Sequence, residues 1–136
     1  MTTVVFACVQ NAGRSQIAAA FFNALADPAR AQAISAGTRP AQRVHTAVVD
    51  VMREAGIDLS GARPQRLTSE IAAGADWLIT MGCGDECPIV PGVGREDWPL
   101  EDPAGQPLPR VREIRDAIRA RIDEFIDREG LRRTRS

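Results

Sequence analysis

The chain has 136 residues, 44% of them hydrophobic, and a formal net charge of -1, a size that supports one domain over residues 1–136 and leaves no room for two ordinary ones. The near-neutral charge argues against nucleic acid as a partner, the lack of a long apolar run argues against a membrane span, and three cysteines without a signal peptide point to the reducing cytoplasm. All 17 basic side chains are arginine, so a Gly-Lys-Ser/Thr nucleotide loop is excluded and any anion grip must come from arginine and backbone.

Thr3–Ala7 is a short β-branched apolar run of the kind buried in a parallel sheet. It leads directly into Cys8-Val9-Gln10-Asn11-Ala12-Gly13-Arg14-Ser15, where a thiol at a strand end meets a short loop, an arginine and the start of a helical pattern. Such a loop can turn its N–H groups inward, the helix N-terminus adds positive potential, and Arg14 offers a planar fork to a tetrahedral anion. The same field favours the thiolate, which makes Cys8 the candidate nucleophile.

Ser15–Ala26 carries Ile17, Ala20, Phe21, Ala24 and Leu25 at helical spacing. Ala31–Ala36 reads as a second strand stopped by Gly37, and Val44–Ala55 as a helix with Val44, Val48, Val51 and Met52 on one face and Gly56 at its end. Thr68-Ser69-Glu70-Ile71 opens a short helix. Asp76–Met81 is a third strand, giving way to Met81-Gly82-Cys83-Gly84-Asp85-Glu86-Cys87-Pro88, and Glu96–Trp98 is a short fourth. Arg110–Glu129 is the clearest helix, with Val111, Ile114, Ile118, Ile122, Phe125 and Ile126 in one stripe and Glu113, Asp116, Asp123, Glu124 and Asp127 among arginines opposite; Gly130 ends it, and Leu131–Ser136 is expected to fray.

Alternating strands and helices predict an α/β class: one doubly wound domain with a four-stranded parallel sheet flanked by helices and its site at the carboxyl ends of the strands. Cys8, Cys83 and Asp102 each follow a predicted strand and are expected at one rim. The Cys-x3-Cys spacing of Cys83 and Cys87 falls within the range of zinc ligands. Two ligands close no tetrahedral site, and the only histidine, His45, lies far off at a helix start, so neither a metal nor a cofactor is expected. Three small core hydrophobes are the plainer alternative for the cysteines.

The Cys-x5-Arg-Ser loop resembles the active-site loop of the low-molecular-weight protein tyrosine phosphatases and of the arsenate reductases that share their fold. Asp102-Pro103, within Trp98-Pro99-Leu100-Glu101-Asp102-Pro103-Ala104-Gly105, is similar to the family's general-acid loop, and Ser35-Ala36-Gly37-Thr38 to its segment after the second strand. Cys83 and Cys87 stand where thioredoxin-coupled arsenate reductases carry two resolving cysteines. The resemblance runs from Thr3 to about Glu129.

It implies that Cys8 attacks arsenate, that Arg14 and the loop from Val9, Gln10, Asn11, Ala12 and Gly13 to Ser15 hold the oxygens, and that Asp102 protonates the departing one. Ser15 would hydrogen-bond the thiolate, and Asn11 would brace the loop from a left-handed conformation. Cys83 would then resolve Cys8, and Cys87 would leave a surface disulfide for thioredoxin, or a small thiol such as mycothiol with a glutaredoxin-like protein would take that part. Phosphate and sulfate would compete with arsenate, and the chain would act as a monomer or homodimer. The alternative implied activity is phosphomonoester hydrolysis through phospho-Cys8, although only Trp98 stands near the acid loop as an aromatic wall.

The sequence departs from the family in two places. Only three residues separate Cys83 from Cys87, which on a helical turn sets their Cα atoms about 6 Å apart, so the loop is expected to bend on oxidation. Some relatives hold potassium near the loop through acidic and hydroxyl groups. Here the matching region offers Ala19 and Ala62-Arg63-Pro64-Gln65, so no potassium requirement is expected, and Arg63 or Arg66 is the candidate for supplying positive charge instead.

Overall fold

A computed structural model describes residues 1–83 and 87–133. Its strands are β1 (Thr2–Cys8), β2 (Ala31–Gly37), β3 (Trp77–Thr80) and β4 (Gly94–Asp97), and its helices are α1 (Arg14–Leu25), α2 (Thr46–Glu54), α3 (Ser69–Ala73) and α4 (Leu108–Glu129). The sheet order is β2-β1-β3-β4, and each neighbouring pair is parallel. All carboxyl ends therefore lie along one rim, with Cys8 the last residue of a central strand and paired to Gly37.

Alternation along β1 sends its side chains to two separate clusters. Val4, Phe6 and Cys8 join Ile17, Phe21 and Phe22 of α1, Val48 and Met52 of α2 and the whole predicted apolar stripe of α4 except Val111, while Val5 and Ala7 join Leu78, Ala75, Cys83 and Cys87 on the other face, near Ile71 of α3. Val111 is buried as well. The first cluster holds a chain of ring contacts, from Phe22 to Phe6 (6.1 Å), Phe6 to Trp98 (5.8 Å), Trp98 to Phe125 (6.2 Å) and Phe125 to Trp77 (5.3 Å). Among the described residues no helix is long and apolar enough to cross a membrane.

Several sequence expectations shift, among them the start of α2, at Thr46 instead of Val44. The fourth strand begins at Gly94, not Glu96, because its register against Trp77–Thr80 brings Gly94 onto the indole of Trp77, where a Cβ would sit 2.8 Å from the ring. Helix α4 starts two residues early, with Pro109 in its first turn, where a missing N–H costs nothing. The expected fraying is absent from Leu131 to Arg133. Leu131 is buried in the larger cluster, its carbonyl accepts from Asp27 N at 2.8 Å, and Arg133 N donates to Leu25 O at 3.0 Å. Arg132 lies between Asp127 and Asp123, bonded to their carboxylates at 2.6 and 3.0 Å, chiefly through Asp127, and its pKa is raised. The last three residues lie outside the described range.

Helices α2 and α4 are tied by Glu54, whose carboxylate receives the fork of Arg112 at 2.9 Å on each oxygen and Arg115 Nη1 at 3.1 Å. The Arg112 hydrogen bond, more than any other cause, holds the Glu54 carboxyl below the usual carboxylate range. A depressed folded-state pKa stabilises the fold above the unfolded value, and that stabilisation is lost as pH falls through the folded value. Glu54→Gln is therefore expected to lower the urea midpoint at neutral pH and to lower it by less at acid pH, as the parent carboxylate itself takes up a proton. Equal losses at both pH values would contradict this.

Candidate active site

The residues after Cys8 turn every carbonyl from Cys8 to Gly13 away from the loop centre. Thr38 N, Arg39 N, Ala41 N and His45 N donate to the carbonyls of Cys8, Val9, Gln10 and Ala12 at 2.8–3.1 Å, Ile17 N donates to Gly13 O, and the Gln16 side chain donates to Asn11 O. A planar peptide points its N–H opposite its C=O, so the amides of residues 9 to 14 face the interior of the loop. One such contact is direct: Asn11 N donates to Cys8 Sγ at 3.3 Å. Helix α1 starts at Arg14 with no acidic residue in its first turn to oppose the positive end of its dipole.

Two backbone features make this geometry possible. Gly37 lies so close to the loop that a Cβ would stand 2.5 Å from Val9 O and 2.9 Å from Asn11 N, the physical reason for glycine in the Ser35-Ala36-Gly37-Thr38 segment. Asn11 has φ 52, alone among the described non-glycine residues in taking a positive value, as the sequence reading anticipated for its bracing role. Its Nδ2 donates to Ser15 Oγ at 2.7 Å, and Ser15 Oγ lies 2.9 Å from Cys8 Sγ.

Arg14 reaches across the rim to the segment after β4. Its Nη1 donates to Leu100 O at 3.1 Å and its Nη2 lies 3.7 Å from Asp102 Oδ2. Asp102 is half exposed and accepts from Ala104 N at 3.0 Å, a turn that aims the carboxylate back over the loop, while Pro103 covers Gly13. Glu101 points elsewhere and pairs with Arg110. Trp98 is 2% exposed and belongs to the core, so it forms no aromatic wall for a substrate; the expectation from sequence is corrected here, because the ring fills the space between Phe6 and Phe125. His45 stands at the N-terminus of α2, its backbone anchoring Ala12.

Cys8 is a buried free thiol, and Cys83 and Cys87 form a disulfide with Cα atoms 5.6 Å apart. Cys83 Sγ lies 3.9 Å from the carbonyl oxygen of Ala7, one residue before Cys8. The disulfide is not at the surface as expected: Cys83 is 5% and Cys87 4% exposed, because both pack with Val5, Ala7 and Leu78 on the sheet face opposite the one where Cys8 packs. Asp85 and Glu86, which lie between the two cysteines in sequence, are outside the described residues. Gly82, just before Cys83, has φ 96 and approaches Arg14 so closely that a Cβ would stand 2.3 Å from Nη1.

Arg63 and Arg66, the candidates for supplying extra positive charge near the loop, have exposed side chains. Gln16, which sequence reasoning passed over, lies beneath the loop. Its Nε2 sits 3.0 Å from Asn11 O, 3.2 Å from Asn11 Oδ1 and 3.3 Å from Arg63 O. These residues do not fit a potassium ion, because the Ala19 side chain offers no oxygen and an amide nitrogen already stands at the point where the three oxygens converge. A glutamine directly after Ser15, in the first turn of the predicted helix, was the signal the sequence offered. Among the described residues no three His, Cys, Asp or Glu side chains converge as a metal site.

Comparisons with known proteins agree with this geometry. A protein of Halobacterium salinarum named provisionally as an arsenate reductase is 41% identical over 128 residues, covering 90% of this chain and 89% of its own. A protein of Synechocystis sp. named glutaredoxin arsenate reductase is 35% identical over 129 residues, covering 93% and 97%. The solved thioredoxin-dependent arsenate reductase of Corynebacterium glutamicum superposes with a TM-score of 0.82 at 39% identity; the match covers 93% of this chain and spans 61% of the length of that one. Residues 3–136 match the family described as low molecular weight phosphotyrosine protein phosphatase, and a thiol in an amide-lined loop before a helix, faced by Arg14 and Asp102, is the arrangement found here. By the extent of that match, and by relatives above 30% identity across nine tenths of its length, the chain belongs to the low molecular weight phosphotyrosine protein phosphatase family.

Proposed function

We propose that the chain reduces arsenate to arsenite, in the cytoplasm, through Cys8 and a disulfide relay that thioredoxin resets. The observation that carries the reading is the Cys83–Cys87 disulfide beside the strand that ends in the free thiol Cys8. Simple phosphate-ester hydrolysis has no use for it.

In this reading the Cys8 thiolate attacks arsenic while Asp102 gives its proton to the departing oxygen, which leaves as water. Arg14 and the inward amides hold the remaining oxygens and meet the charge that develops there. Cys83 thiolate then attacks Cys8 Sγ. The S–As bond breaks with its electron pair passing to arsenic, arsenite departs, and a Cys8–Cys83 disulfide forms. Cys87 thiolate next attacks Cys83 Sγ and releases Cys8 thiolate, leaving Cys83–Cys87 for an external dithiol. Since the sulfurs of Cys83 and Cys87 pack across β1 from Cys8, the relay requires these two cysteines to change position between steps. One chain carries every group the cycle needs.

The name of the Corynebacterium neighbour supports thioredoxin as donor, and that of the Synechocystis relative supports a glutaredoxin. Three cysteines favour the first, because an internal disulfide makes a separate small thiol unnecessary. The test is steady-state arsenite release with thioredoxin and its reductase against mycothiol or glutathione with a glutaredoxin. Sustained turnover in the first system alone is expected. Turnover only in the second would transfer the role of resolving thiol away from Cys83 and Cys87, and no arsenite in either would end the reductase reading.

A further inference from the structure

We infer that Gln16 is a positioning residue for Cys8, fixing through Asn11 and Ser15 which way the hydrogen bonds to the sulfur run. Gln65 N is a backbone amide, and it lies 2.9 Å from Asn11 Oδ1. That atom is therefore the oxygen of the Asn11 carboxamide, and the other, facing Ser15 Oγ at 2.7 Å, is the nitrogen. Ser15 must accept from Asn11, which leaves its single hydroxyl hydrogen for Cys8 Sγ at 2.9 Å. The polarity from Gln65 to the sulfur is thus forced.

Gln16 is what keeps Asn11 in place to pass this on. Gln16 is 5% exposed, and its carboxamide nitrogen faces three acceptors: the backbone and side-chain oxygens of Asn11 and the backbone oxygen of Arg63. By binding both oxygens of Asn11 it clamps side chain and backbone together at φ 52, a conformation an isolated asparagine adopts only at a cost. The same backbone turn aims Asn11 N at the sulfur. Two donors to Cys8, one from Ser15 and one from Asn11, therefore depend on a side chain that touches neither sulfur nor substrate.

The oxygen count dictates which replacements work. Met fills the volume and donates nothing. Glu puts a fourth set of oxygens against three. Lys brings an ammonium with three hydrogens to the same point. The test is the rate of Cys8 alkylation by iodoacetamide as a function of pH, with Cys83 and Cys87 held as their disulfide so that Cys8 is the free thiol. Gln16→Met and Gln16→Glu are expected to react about tenfold more slowly than the parent near pH ~6 and to approach it at alkaline pH, whereas Gln16→Lys, which keeps the donors and adds a charge that favours the thiolate, reacts at least as fast as the parent. A Met variant with the parent profile, or a folded Lys variant that behaves like Met, would overturn the assignment, since a purely space-filling role predicts the reverse order.

A measurement on the unaltered protein covers the case in which the variants do not fold. The side-chain amide resonances of Gln16 and Asn11 should shift when Cys8 is alkylated, and amide signals indifferent to that modification would refute the coupling. The inference rests on Cys8 being the nucleophile of the reading above. Because alkylation uses no arsenate, failure of arsenate reduction and failure of the Gln16 assignment are separate results.

Discussion

Cys83→Ser is expected to abolish arsenite production while leaving the hydrolysis of a small aryl phosphate within about threefold of the parent rate, since no donor to the anion is lost. A serine hydroxyl can neither attack sulfur nor accept oxidation, so the Cys8 adduct has no way to pass an electron pair to arsenic. Ester hydrolysis needs only Cys8, Arg14, Asp102 and a water. Cys83 touches none of them by its side chain: its sulfur is packed with Val5, Ala7 and Leu78 across β1 from the side chain of Cys8. The companion Cys87→Ser should give a burst of arsenite equal to the enzyme present and then stop with Cys8 and Cys83 joined, which peptide mapping of the oxidised chain would show. Continued arsenite release by Cys83→Ser would remove this cysteine from the reaction, and loss of both activities together would mean that it serves the anion pocket instead.

The second large effect should fall on both activities equally. Gly82→Ala places a methyl group where Arg14 Nη1 now lies, 2.3 Å from the built Cβ position, at a residue with φ 96. Side chains at such a φ cost about 1–2 kcal/mol, a modest loss of stability. The larger consequence is for function. Arg14 is long and its tip can yield, so the clash is relieved by moving the guanidinium away from the loop centre and from Leu100 O. Loss of one well-placed donor to a developing oxyanion lowers turnover by about 10²–10³-fold, and kcat/KM for arsenate and for an aryl phosphate should fall together by that order. Competition by phosphate should weaken in parallel. If Gly82→Ala impaired arsenite release alone, glycine here would matter for movement of the cysteine segment and not for the position of Arg14.

These two variants divide the site along a line already present in the fold. In the proposed cycle, anion binding belongs to the loop between β1 and α1, and electron supply to the cysteines beyond β3. Parallel pairing of β1 with β3 sets them side by side: Met81 N donates to Ala7 O at 2.8 Å, so the start of the cysteine segment is stitched to the residue before Cys8. Glycine at position 82 lets the chain turn past Arg14 immediately afterwards.

Much of this was written in local sequence. The run Thr3–Ala7 before Cys8, the stripe from Val111 to Ile126 and Gly130 at its end identify strand, helix and stop, because burial on one face imposes a period and a chain reversal imposes a residue type. The anion loop was equally legible, since Cys8, Asn11, Arg14 and Ser15 lie within eight consecutive residues and a short loop has few ways to arrange them. Contacts between distant segments were not. That Asp102 faces Arg14 while Glu101 pairs with Arg110, that Trp98 fills the core, that Leu131 docks beside α1, that the Cys83–Cys87 pair is buried across the sheet from Cys8, and that Gln16 gathers oxygens from residues 11 and 63 all depend on how the sheet brings remote chain together. Sequence specifies which groups a segment carries and the period on which they repeat; only packing decides which remote partner satisfies each of them.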